Sequence, residues 1–227
     1  MDLVAPGIGT LRESPLHASL KAHFGAGARS EVAVAGYVID LVRGDELVEI
    51  QTRGFSALRP KLNALLPNHQ VRVVHPIPSH KWIVKVADTG EILSRRKSPK
   101  RGSTVDVFAE LVSIPSALAD PNFSLDIVLT HEDEVQRYDG KRGWRRRGWV
   151  VQERVLLELA GVTRIEQPAD LWKLLPQSLP GEFTTADLAT GIGCQRRVAQ
   201  QVAYCLRKLG LVESVGKRGN TIRYCRT

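Results

Sequence analysis

The chain has 227 residues, 43 % hydrophobic and 25 % charged, with a formal net charge of +8 and a pI near 9.7. That length and apolar content supply the interior of two soluble domains and exclude a disordered chain. The basic balance points to nucleic acid and not to a membrane, since the sequence has no apolar run of bilayer length, no basic amphipathic anchor and no signal-peptide pattern, and a cytoplasmic location is expected.

The first element is read in the segment from Glu13 to Phe24. Ser14 can cap a helix, Pro15 fits its first position, and Leu16, Leu20 and Phe24 form an i, i+4, i+8 stripe. His17 and Lys21 lie four apart on a neighbouring face. His17 reads there as a packing histidine or as a functional one, and Glu13 as a helix-terminus acid or as part of the same edge. Ser30 to Val34 alternates as a short strand carrying Glu31, an edge charge or an acid of a site. Gly36 to Thr52 then spells two strands around a Gly44-Asp45 turn, with Asp40 and Glu49 on an otherwise apolar hairpin. Because strands alternate faces, Glu49 and Gln51 share one side and Val48 and Ile50 the other. Carboxylates on rigid strands suit Mg²⁺, although half-exposed hairpins also carry acids as plain solvated groups. A helix over Ser56 to Leu66 and an apolar strand from Val71 to His75 follow.

With these elements in order, the first third of the chain resembles the PD-(D/E)xK nuclease superfamily, and most closely its CoiA-type competence nuclease domain. That group looks like Glu-Ser-x-x-His-x-x-x-Lys on the first helix, a Glu before the hairpin, an Asp, and then Glu-Ile-Gln. Glu13, Ser14, His17 and Lys21 match the helix, Glu31 the intermediate acid, and Asp40, Glu49, Ile50 and Gln51 the core. Two departures stand out: Tyr37 replaces an Arg three residues before the Asp, and Thr52 is followed by Arg53 and not by Ser. Gln51 also stands where most of the superfamily has Lys, and an amide can orient a water only through neutral hydrogen bonds, so Lys21 is the candidate for the missing cation. The resemblance implies an α/β (α+β) fold, a restriction-endonuclease-like mixed sheet flanked by helices. It also implies Mg²⁺ or Mn²⁺ held by Asp40, Glu49 and the Ile50 carbonyl with Glu31 nearby, and phosphodiester hydrolysis in which Gln51 or Lys21 positions the water beside His17 and Glu13.

The middle of the chain carries strands around Lys81 to Val86 and Phe123 to Leu129 and a helix from Val105 to Val112. Ser94 to Gly102, with Arg95, Arg96, Lys97, Lys100 and Arg101, reads as a loop, because it is polar and broken by Pro and Gly. Arg137 to Trp149 reads as a hairpin that joins Arg142, Arg145, Arg146 and Arg147 to Trp144 and Trp149, ahead of a strand from Val150 to Leu157. Arginine can pair with phosphate and tryptophan can stack on an unpaired base. Solvated charge and buried tryptophan are the plain alternatives.

A helix at Pro168 to Leu175 comes next. Thr184 to Ala189 has a capping pattern, Gly191 to Gly193 makes a turn, and Cys194 to Leu209 forms a second helix whose outer side carries Gln195, Arg196 and Arg197. Two strands follow, around the basic tip Gly216 to Asn220 with Lys217 and Arg218. This succession resembles the winged-helix module, which implies base-edge contacts from the second helix and phosphate contacts from the wing, or docking on a protein partner. The expected division is 1–165 for the nuclease-like domain and 166–227 for the winged helix. Charge follows it: residues 1–94 hold 10 basic and 9 acidic side chains, and 95–227 hold 22 and 15. Cys194, Cys205 and Cys225 match no zinc spacing and read as reduced thiols.

The sequence therefore leads to a DNA-binding protein that cleaves phosphodiesters with Mg²⁺ or Mn²⁺. A catalytically degenerate DNA-binding regulator and a winged-helix adaptor are the alternatives. Cleavage of both strands by one site per chain would call for a homodimer or for two visits.

Overall fold

The computed structural model describes residues 13–142 and 147–227, so Trp144, Arg145 and Arg146 lie outside the described residues. Ser14 caps α1 (Pro15–Phe24) by accepting from the His17 N–H at 3.4 Å, with Pro15 in the first turn where its missing N–H does no harm. β1 (Arg29–Val34), β2 (Tyr37–Arg43) and β3 (Glu46–Ile50) form an antiparallel meander. Its first turn has positive φ at both Ala35 and Gly36, as a type I′ hairpin requires, and Gly44 has φ 56° in the second. α2 (Arg59–Leu65) crosses over to β4 (Gln70–Val86), which runs parallel to β3. β5 (Ile92–Lys97), the short α3 (Phe108–Leu111), β6 (Phe123–Tyr138) and β7 (Trp149–Ile165) complete a mixed seven-stranded sheet ordered β1-β2-β3-β4-β6-β7, with β5 on β4.

β3 covers only the first half of one β4 edge, pairing as far as Val74, and β5 covers only the second half, from Trp82. Pro76 and Pro78 sit in the gap. The Val74 carbonyl faces β3, accepting from the Gln51 N–H at 2.8 Å, and main-chain groups two and four residues on share its direction, so neither proline removes a ladder bond to β6. The Pro78 carbonyl accepts instead from the Gly102 N–H at 2.9 Å. A Cβ at Gly102 would come within 2.8 Å of that same oxygen, so the crossing loop needs glycine there.

One sheet face buries Leu16 and Leu20 of α1 against Leu41, Val48, Ile50, Val74 and Val128. The other packs α2, α3 and the C-terminal elements over Ile39, Leu47, Val73, Leu125 and Ile127. Ile39 and Leu41, two residues apart, thus enter opposite layers, which a regular pleat forbids. The irregularity falls at Asp40: the β1–β2 ladder keeps one register from Ser30↔Leu41 to Val32↔Ile39 but skips the pair between them, where Glu31 stands at φ 56°. The hairpin is kinked where its acid sits.

Beyond a 3-10 turn at Pro168–Leu174, β8 (Glu182–Thr184), α4 (Thr185–Ile192), α5 (Arg196–Lys208), β9 (Val212–Arg218) and β10 (Thr221–Arg226) form a three-stranded sheet, order β8-β10-β9, with two helices on it. Thr184 and Asp187 make a capping box, and α5 turns Ala199, Val202, Ala203, Cys205 and Leu206 inward. All three cysteines are free, and burial pushes the Cys205 thiol up to about 12, so it stays protonated and inert. No helix among the described residues is long and apolar enough to cross a membrane.

Several sequence expectations are corrected. Arg95, Arg96 and Lys97 lie on β5, not in a loop: all six strand residues are exposed and backbone pairing to β4 forms the strand. The short strands expected at 71–75 and 81–86 are one strand, and those at 123–129 and 150–157 extend to 16 and 17 residues. The helix expected at 168–175 is a 3-10 turn, and Lys217 and Arg218 belong to β9, leaving Gly219 and Asn220 as the tip.

Candidate functional site

α1 crosses the kinked hairpin so that its polar edge faces Asp40. His17 Nδ1 meets Glu13 Oε1 at 2.5 Å and His17 Nε2 meets Asp40 Oδ2 at 3.2 Å, placing the imidazole between two carboxylates. The same Asp40 oxygen accepts from the Ile50 N–H at 2.8 Å, which ties β2 to the end of β3. Lys21 Nζ lies 2.9 Å from both Glu13 Oε1 and Glu31 Oε1. Glu13, His17, Lys21, Glu31 and Asp40 line one cleft of about 610 Å³, with Thr52 and Arg53 on its far side.

These contacts set the charges. The Asp40 hydrogen bond raises the His17 pKa against the opposing effect of burial, with Glu13 adding to it, so the ring favours its protonated form. Burial would raise the carboxyl of Asp40, but His17 and the Ile50 N–H outweigh it and hold Asp40 below its ordinary value. Glu13 is lowered too: Lys21 and His17 overcome its burial. Lys21 is raised despite burial, by Glu31 and Glu13.

Glu49, on the other face of the hairpin and only 6 % exposed, behaves differently. Burial first, and the charge of Asp40 second, push its carboxyl up to about 7, with Lys61 pulling the other way. Lys61 Nζ donates to the Val38 carbonyl at 2.6 Å and stands 2.5 Å from Glu49 Oε1. That oxygen nonetheless lacks an aligned hydrogen-bond donor, so the contact is a Coulombic pairing more than a directed bond. Nothing in the linear pattern singled out Lys61. It follows Arg59 in the first turn of α2, and only the packing of α2 beside β2 and β3 places it.

Gln51 does not join Asp40. Its Nε2 donates to the Gly54 carbonyl at 2.9 Å, and its own carbonyl accepts from His75 Nδ1 at 2.6 Å, fixing the loop after β3. Glu31 is brought to Lys21 and not to Glu49. Ile50 contributes its N–H to Asp40 and its side chain to the α1-side core. Among the described residues, no group of three or more His, Cys, Asp and Glu side chains is placed to hold a metal.

The basic candidates lie elsewhere. Arg95 pairs with Asp133 at 2.9 Å and lies over the Trp82 ring, as does Lys97, while Arg96 points to the opposite sheet face. Lys100 and Arg101 are exposed after β5. Arg142 reaches Asp139 at 3.7 Å, and Arg147 is exposed at φ 52°. Gln195 precedes α5 as its N-cap, Arg196 and Arg197 are exposed in its first turn, and Lys217 and Arg218 are exposed near the end of β9.

Residues 14–166 match the model of a family described as a domain of unknown function (DUF8091). The chain is 36 % identical over 220 residues to a protein of Treponema pallidum (strain Nichols) described as an uncharacterized protein, covering 96 % of this chain and 86 % of the relative. No solved structure matches.

Proposed function

The chain belongs to the DUF8091 family, and on that footing we propose that it is a metal-dependent nuclease of PD-(D/E)xK type whose C-terminal part is a DNA-binding winged helix. The observation that carries this reading is the carboxylate pair. Asp40 stands close enough to Glu49 to help push it to about 7, and the cation now beside the buried Glu49 Oε1 is the Lys61 ammonium at 2.5 Å. Two such groups favour a cation between them.

The residues fit a divalent ion that keeps most of its water. Mg²⁺ is typically held by one or two carboxylates, and Asp40 and Glu49 supply that number without a third ligand side chain. When bound there, Mg²⁺ or Mn²⁺ would lower the pKa of a coordinated water and offset charge on the phosphate. Lys61, anchored by the Val38 carbonyl, puts beside Glu49 the cation that Gln51 cannot provide. His17, held between Glu13 and Asp40 with its pKa raised, can carry a proton at Nε2 to a leaving oxygen. Lys21 pairs with Glu13 and Glu31 and holds them apart from the carboxylate pair.

A second reading, a degenerate DNA-binding protein, is favoured by the Gln51 amide, which is spent on the loop carbonyl of Gly54. Incubation of wild type and Lys61→Ala with single-stranded, duplex and branched DNA in Mg²⁺, Mn²⁺ or EDTA separates the two. The nuclease reading expects metal-dependent products from wild type and about 10²-fold slower cleavage from the variant. DNA retention without products in any metal would leave the binding protein.

For the winged helix, Arg196 on α5 and residues of β10 face a cleft of about 300 Å³, and Lys217 is exposed on the wing. Arg196→Ala and Lys217→Ala are each expected to weaken duplex binding and to lower the slope of log affinity against log salt by about 1. Unchanged slopes would move the duplex off this surface and favour a protein partner.

A further inference from the structure

Three clefts adjoin one another, the first beside α1 and the other two on the sheet face that carries α2, α3 and α5. The Asp40 cleft of about 610 Å³ adjoins one of about 550 Å³, Thr52 lining both. The second lies over the gap between β3 and β5, walled by Pro76, Pro78 and Gly102 on the sheet side and by Arg197 and Gln201 of α5. It meets a third, of about 410 Å³, at Lys81 and Glu134. That one extends along the outer halves of β4, β5 and β6 past Lys85, Arg96 and Arg147.

The acids along this track are committed to the protein. Glu134 pairs with Lys81 and with Gln136, Asp106 accepts from the Ser103 N–H, and Glu110 accepts from the Phe55 N–H. Among the described residues, Arg53, Arg96, Lys100 and Arg197 have no acidic partner. At the far end Tyr138 is 59 % exposed, standing edge-on to Trp149 at 5.8 Å, and Lys85 Nζ lies 4.2 Å over the Trp149 ring. A basic floor that ends on an open aromatic ring suits a flexible polyanion with unpaired bases. Each cleft has the volume of a small-ligand pocket, roughly 300–1,000 Å³, which admits nucleotides of one strand, whereas the convex cylinder of a duplex would rest on the rims.

We propose that a single strand of nucleic acid occupies this track, its backbone running from Asp40 past Thr52 and beside the first turn of α5 to the ends of β6 and β7, where a base stacks on Tyr138. The proposal deepens the nuclease reading and rests on it for the position of the scissile phosphate, but not for the binding itself. α5 thereby serves two surfaces, Arg197 facing the strand and Arg196 facing the wing side.

The test is fluorescence anisotropy of the full chain in EDTA with a short labelled oligonucleotide, single-stranded or as a blunt duplex. Wild type is expected to favour the single strand. Tyr138→Ala should lose about tenfold in single-strand affinity and little in duplex affinity, and Arg96→Glu should weaken single-strand binding and flatten its salt dependence. Both side chains are exposed, so the variants should melt as wild type does. Single-strand affinity unchanged in both variants, or a wild type that prefers duplex, would overturn the track. The two readings fail separately: Tyr138-dependent binding with no products in any metal removes the nuclease and keeps the track, while metal-dependent products with unchanged variant affinities do the reverse.

Discussion

Glu49→Gln should abolish metal-dependent cleavage, by 10²–10³-fold or more, and in the metal-free protein should raise stability above neutrality while leaving it unchanged in acid. The sign comes from the shifted carboxyl. Glu49 keeps its proton to about 7 when folded and loses it near the ordinary 4.5 when unfolded, so the folded state binds more protons across that window and wild-type stability falls as pH rises through it. Gln cannot titrate, so the variant escapes the fall, a difference of about 3 kcal/mol at full development. The raised pKa of His17 adds a second loss, of stability present below 6.5 and gone once pH passes the folded value, but both proteins share it. Denaturant melts in EDTA at one acid and one alkaline pH decide the matter. A constant difference between the two proteins would mean that Glu49 is not buried beside Asp40 as described, and the carboxylate pair would lose its claim on a metal.

Asp126→Ala is expected to be among the most damaging single substitutions for folding. Asp126 is fully buried on β6, yet its oxygens receive Arg72 of β4 (Nε at 2.8 Å, with Nη2 in close contact) and Arg164 of β7 (Nε at 2.7 Å, Nη2 at 3.2 Å). One carboxylate thus clamps three adjacent strands below the α1 layer. Removing it strands the Arg72 guanidinium, which is 11 % exposed and whose other ion-pair contact is Glu46 at 3.7 Å. Breaking a buried ion pair from one side costs about 3–5 kcal/mol, and the lower end applies because Arg164, 39 % exposed, can turn to water. Urea unfolding of Asp126→Ala against Arg164→Ala tests this. A loss under about 1 kcal/mol in the aspartate variant would mean that Arg72 finds water or another partner, and that backbone pairing alone holds β4, β6 and β7 together.

Period and punctuation determined much of this protein in advance. Leu16 and Leu20 one turn apart gave α1 a single apolar side, Ser14-Pro15 fixed its start, and both leucines are buried in the structure. Gly44 marked the β2–β3 turn, Thr184 and Asp187 the start of α4, and the apolar side of α5 faces inward as read. The grouping of Glu13 and His17 with Asp40 came from the family resemblance and not from periodicity, which left His17 equally a packing histidine; the contacts appear once α1 packs on the hairpin. What tertiary structure decided was whatever depends on neighbours distant in sequence. β5 has no apolar face of its own and forms only because β4 offers an unpaired edge, while the strands expected at 71–75 and 81–86 join through Pro76 and Pro78 because that edge is open beside them. Lys61 reaches Glu49 because of where α2 packs, and Glu31 goes to Lys21 because the strand kinks at Asp40. A side chain's ionisation state and its partner are properties of the packed site. Periodicity fixes the face on which a side chain points, and only the fold fixes what it meets there.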